Sequence, residues 1–192
     1  MSAVLQTQTR PDAASQATAG TAPLNPAALR ERFAAARSSG KRAKDAAESI
    51  GVTEGQAVAA HAGTHDLALK AMPLKGPWVE ILQALELCGP VMALTRNEST
   101  VHEKTGVYRN ISAQGHMGLA LGEEIDLRIF FSRWHAGFYV FESANDPKNP
   151  ASESLQFFDA HGVAVHKVFA RPETDREAFR DCLLYTSPSP RD

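Results

Sequence analysis

The chain has 192 residues, 43% hydrophobic and 22% charged, which suits one folded domain or a slightly extended one and needs no disulfide or metal staple. Its 20 basic and 22 acidic residues leave a net charge of −2 without a long run of one sign, which excludes a highly basic nucleic-acid coat protein. Two cysteines, Cys88 and Cys182, make neither a disulfide framework nor a four-ligand zinc site; no apolar run is long enough for a membrane span and no secretory signal opens the chain, so a reducing, cytoplasmic setting is expected.

Residues 1–24, rich in Ala, Thr, Gln and Ser, have no periodic apolar face and are predicted to be a disordered leader; the domain is expected over residues 25–181. Asn25-Pro26 reads as a helix start, with Leu29, Phe33 and Ala36 on one face and Ser38-Ser39-Gly40 as its end. A second helix carries Ala43, Ala46, Ala47 and Ile50 and stops at Gly51. Thr53 with Gln56 resembles a capping box for a third. Residues 63–74 read as a loop or a short extended piece. A helix from Trp78 to Cys88 then ends at Gly89-Pro90.

After Pro90 the apolar period changes from 3.6 to 2. Strands are predicted over residues 91–97, 106–111, 116–121, 125–131, 137–142, 154–158 and 163–170, with turn chemistry at Ala113-Gln114-Gly115, Gly122-Glu123-Glu124, Asn145-Asp146-Pro147 and Ala160-His161-Gly162. Short connections favour antiparallel pairing. Helices first and strands later give an α+β class: short N-terminal helices, then a broad, mainly antiparallel sheet. A last helix is expected from Thr174 to Leu184. The ending from Tyr185 is polar and proline-broken and resembles translated sequencing-adapter read-through, so residues 182–192 are taken as a non-native tail and the natural protein is expected to continue beyond about Asp181.

No nucleophile elbow, Gly-rich phosphate loop, CxxC pair or HExxH motif occurs. His61 and His65 stand four apart, but Gly63 between them argues against one helical face. His161 falls in a turn, and His166 in VAVHKVFA reads as a packed or edge-strand histidine. The strand IDLRIFF puts Ile125, Leu127, Ile129 and Phe131 on a core face and Asp126, Arg128 and Phe130 on the other. In the middle of a central strand Arg128 needs a partner, because an unpaired buried cation costs several kcal/mol. Asp126 or Glu142 would serve structurally; a ligand on a concave sheet would serve functionally. Residues 25–61 also look like a helix-turn-helix, with Arg30, Arg32, Arg37, Lys41, Arg42 and Lys44 as phosphate-binding charge, yet the would-be recognition helix has no Arg or Lys.

Several islands in order carry a more specific likeness: TRNE (Thr95–Glu98), VHE (Val101–Glu103), GH.GL (Gly115–Leu119), DLR (Asp126–Arg128) and QFFD (Gln156–Asp159). With the helices from Leu29 to Gly63, they make the chain resemble the haemin-degrading factor family, the HemS/ChuS/HmuS-type haem carriers of bacteria, over roughly Leu29 to Asp181. The resemblance implies one half of a tandem two-half fold with haem in a cleft between the halves. It implies that Arg128 projects over one face of the haem, and that the iron-ligating histidine of the other face would lie beyond Asp192. Phe130 would then be an aromatic wall, while His102, and less so His116, is a candidate for iron through a neutral imidazole nitrogen. Haem is the implied ligand or substrate; a haem oxygenase, a haem importer and the absent second half are the implied partners. The function implied is cytoplasmic haem binding, trafficking or degradation in haem-iron utilisation. The alternative is a DNA-binding regulator using residues 25–61.

Overall fold

A computed structural model describes residues 25–97, 99–144 and 150–183. The expected leader, the turn Asn145-Asp146-Pro147 and the tail from residue 184 lie outside the described residues. Helix α1 (Pro26–Ser38) starts where Asn25 Oδ1 accepts the Ala27 N–H at 3.0 Å, and it buries Leu29 and Phe33. Helix α2 (Ala43–Ser49) buries Ala46 and Ala47. Helix α3 (Glu54–Ala59) opens on the expected capping box: Thr53 Oγ1 accepts from the Gln56 N–H at 3.3 Å and Gln56 Oε1 from the Thr53 N–H at 2.9 Å.

Strand β1 (Leu69–Leu74) leads to α4 (Trp78–Ala84), whose end tightens into a 3-10 turn at Leu85–Cys88. Six strands and a second 3-10 turn follow: β2 (Val91–Arg96), β3 (Val101–Gly106), β4 (Ser112–Gln114), β5 (Met117–Leu121), β6 (Asp126–Phe130), the turn Phe131–Arg133, then β7 (Ala136–Glu142). Strands β8 (Ser152–Phe158) and β9 (Ala164–Ala170) and helix α5 (Arg176–Asp181) complete the described chain. All named strand pairs are antiparallel, in a six-stranded sheet ordered β1-β7-β8-β9-β2-β3 and a three-stranded sheet ordered β4-β5-β6. The class is therefore the α+β arrangement read from the sequence.

Because side chains alternate along a strand, the large sheet has two distinct faces. One packs Leu155, Phe157 and Val168 into a core with α4, α5 and the small sheet. Gly137 matters here: a Cβ on it would come within 2.9 Å of the Trp78 ring and 3.1 Å of Phe157, so only glycine lets both rings press onto the sheet. The other face receives the N-terminal helices through Val58, against Phe138, Val140 and Phe158.

Three local expectations need correction. The strand expected at 106–111 lies earlier, at β3: its residues 101–105 are exposed, so an edge strand wet on both sides shows no apolar alternation, while Tyr108 beyond it is buried in irregular chain. The ambiguous 63–74 segment contains β1, an edge strand that tolerates Pro73. β4 replaces part of the turn expected at Ala113-Gln114-Gly115. Cys182, at the start of the expected tail, is buried with its Sγ 3.8 Å from that of Cys88.

Candidate functional site

Leu74, Gly137, Phe157, His166, Thr95 and His102 form one row across the six strands, all on the face that carries the small sheet. Trp134, delivered by the 3-10 turn after β6, lies over this row. Its ring stacks on Phe157 (4.1 Å, 24°) and on His166 (5.5 Å, 18°), and Phe131 meets it edge-on. Between this layer and β6 opens a hollow of about 170 Å³. Trp134, Ile129 and Val165 give it an apolar floor, and Leu127 and Phe130 an apolar wall. Thr95 and His166 add polar atoms, Arg128 and Arg133 add charge, and no acidic residue among those described lines it. An enclosing pocket for a ligand runs to roughly 300–1,000 Å³, so this hollow offers one wall to a flat molecule and does not surround one.

His166 is the polar centre of the floor. Its Nε2 is 2.6 Å from the Tyr108 hydroxyl and its Nδ1 2.9 Å from Thr95 Oγ1. Both nitrogens are thus engaged, which removes the ring from the set of available metal ligands. Burial pushes its pKa down to about 4, and pushes that of the Tyr108 phenol up, so both are neutral near pH 7. The sequence placed His166 only as packed or at an edge; the signal that it is a site residue is tertiary.

The lowered pKa sets a pH dependence. Between about pH 4 and pH 6.5 the unfolded chain binds a proton at this position that the folded chain does not, so stability rises with pH through the window. The contribution is complete above pH 6.5 and is lost on acidification towards pH 4, a difference of about 3 kcal/mol. Urea midpoints of the wild type should fall more steeply from pH 6.5 to 4.5 than those of His166→Gln. Parallel slopes would remove His166 from the acid response.

Arg128 lies on β6, which is an edge strand of the small sheet and not a central one. Its side chain is exposed, so it needs no buried counter-ion; it makes no ion pair or hydrogen bond among the described residues, with Asp126 or any other acid. Glu142, the other suggested partner, pairs with Arg37 at 2.6 Å. The alternation holds: Ile125 and Ile129 are buried, Leu127 and Phe131 partly so, while Arg128 and Phe130 face outward, Phe130 being 57% exposed. His102 is exposed on β3 and does not line the hollow, although it occupies the row position next to Thr95. His116 is exposed in the β4–β5 turn, away from it. His61 is buried edge-on to Phe33, and because a carbonyl can only accept, its Nδ1–H donates to Ala57 O at 2.8 Å. His65 is exposed, and among the described residues no three His, Cys, Asp or Glu come together as a metal site.

Other hollows are larger but chemically less apt. One of about 540 Å³ on the helix-bearing side mixes both signs of charge, including Glu54, Glu103, Lys167 and Arg37. One of about 390 Å³ beside β1 is apolar, but its cations are engaged: Arg180 with Glu153 at 2.6 Å, and Lys70 over the Phe141 ring at 5.8 Å.

The DNA-binding alternative finds no support. Helix α3 is six residues long and buries Glu54, Gly55, Ala57 and Val58 against the domain, so its side chains are not presented to a groove. Among the described residues no helix is long and apolar enough to cross a membrane.

The family profile described as "Haemin-degrading HemS.ChuX domain" matches residues 51–184. Hemin transport protein HemS of Yersinia enterocolitica is 38% identical over 145 residues, which are 75% of this chain and 40% of that protein. Holo-PhuS, a heme-binding protein from Pseudomonas aeruginosa, superposes with a TM-score of 0.77 at 37% identity, over 88% of this chain and 48% of that one. ChuS, a heme degrading enzyme from Escherichia coli O157:H7, gives 0.73 at 31% identity, over 88% and 52%. The chain thus spans about half the length of these relatives, or less. An α+β domain whose Arg128 strand flanks an aromatic-floored hollow, and whose match to the family profile runs over most of its length, belongs to the haemin-degrading HemS/ChuX family.

Proposed function

We propose that this chain binds haem against the Arg128 hollow, as one half of a protein that handles haem in the cytoplasm during bacterial haem-iron utilisation. The observation that carries the reading is a guanidinium without a counter-ion among the described residues, beside an exposed phenylalanine and over a stacked aromatic floor. Haem is a flat apolar plate with two carboxylates, and it asks for apolar contact together with fixed positive charge. Arginine keeps its charge at any physiological pH and does not ligate iron; its donors serve a group held over the metal or a carboxylate. Phe130 and Trp134 supply apolar surface. His102 lies on the same sheet face, outside the lining of the hollow, and is this chain's candidate imidazole for the iron; the second half of the protein supplies the opposite coordinating histidine. Delivery to a haem oxygenase and receipt from an importer are the exchanges such a carrier would make.

Titrating haemin into the 192-residue chain should shift the Soret band. Arg128→Ala should weaken binding about tenfold or alter the bound spectrum, the value of a charge-assisted hydrogen bond. An unchanged spectrum and affinity in that variant would sink the role of Arg128; no Soret shift in the wild type would sink haem binding by this chain.

A further inference from the structure

We propose that Arg133 is a second recognition residue of the same hollow, and that together with Arg128 it makes the site selective for a porphyrin bearing free carboxylates. This rests on the haem reading above. Arg133 drew no notice in the sequence, because it follows the DLR strand in a segment with no apolar period.

The placement is set by the chain around it. Residues 131–133 form a 3-10 turn, closed by the Trp134 N–H on Phe131 O at 3.0 Å. The next residue, Trp134, is locked by its stacking on Phe157 and His166, and its carbonyl accepts the Trp78 Nε1–H at 3.2 Å. The His135 N–H then donates to Phe158 O at 2.8 Å. Arg133 therefore projects from backbone pinned on its C-terminal side, while Arg128 projects from β6, and both line one hollow.

Neither guanidinium has an ion pair or a hydrogen bond among the described residues, and both are exposed. Elsewhere in the domain Arg37, Arg96, Arg176 and Arg180 each meet a carboxylate, whereas these two line one hollow together without one. Two free cations that flank an apolar floor, with no acid in the lining, fit a rigid apolar molecule carrying two negative charges at its edge. The planar fork of an arginine matches a carboxylate through paired N–H donors, and an ester leaves it nothing charged to bind.

The test uses metal-free protoporphyrin IX and its dimethyl ester in the same dilute non-ionic detergent, so that ring binding is read without iron ligation. Quenching of tryptophan fluorescence reports binding, with Trp134 in the floor. The wild-type chain should prefer the free dicarboxylate. Arg133→Gln should lower its affinity for the dicarboxylate about fivefold and leave the ester unchanged; Arg133→Lys should retain part of the difference, and added salt should narrow it. Equal affinity of the wild type for both rings, or an Arg133→Gln effect of the same size on both, overturns the assignment while haem binding stands. If neither ring binds, the haem reading falls and this assignment with it.

Discussion

Replacing Glu54 by alanine is expected to cost about 3–5 kcal/mol of stability, the effect of leaving a buried charge without its partner. Glu54 is 4% exposed at the start of α3 and bridges Arg96 on β2 and Lys167 on β9. Lys167 is 6% exposed, and burial pushes its pKa down while Glu54 pulls it back up. Without the carboxylate the ammonium must be hydrated, deprotonated or left unpaired, and each outcome favours the unfolded chain. Guanidinium melts measure the loss directly. The double variant Glu54→Leu with Lys167→Met should recover most of it, because an apolar pair of similar size replaces charges that were costly to bury. A loss below about 1 kcal/mol in Glu54→Ala would mean that the bridge contributes no more than a surface pair. The Arg128 hollow should be spared, since Lys167 and His166 are neighbours on β9 and point to opposite faces of the sheet.

Trp134→Ala is expected to be about as damaging, near 3–5 kcal/mol, and to impair haemin binding as well. Trp134 is 7% exposed and touches three other aromatic residues, Trp78, Phe131 and Phe157, besides His166. Removing it leaves a cavity between the two sheets and takes away the floor on which the Arg128 and Arg133 side chains converge. Trp134→Phe should keep most of the stability and part of the haemin-induced Soret change, since a smaller ring can still stack on Phe157. A near-wild-type melt for Trp134→Ala would show that the neighbours close the gap and that the ring is a lining residue alone. The contrast between the two variants is informative: Glu54→Ala should lower stability without a specific loss of haemin binding, whereas Trp134→Ala should lower both.

What the sequence determined by itself is whatever depends on residues near each other in the chain. The Asn25 and Thr53 caps, the stop at Gly89-Pro90 and the buried positions Ile125 and Ile129 are local consequences of capping and periodicity, and they stand where they were expected. The ordered islands around VHE, DLR and QFFD likewise sufficed to place the family. The tertiary structure decided everything that depends on which strand lies at an edge and what packs across it. It made β3 an edge strand with no apolar signature, and it put β6 at the edge of a small sheet, which turned Arg128 from a buried cation in need of an acid into an exposed one free for a ligand. It also joined Tyr108 to His166 across 58 positions and Glu54 to Lys167 across 113. Such pairings earn their energy only after the long loops between them have closed, so no window of neighbouring residues contains them. The hollow and its second arginine belong to that class.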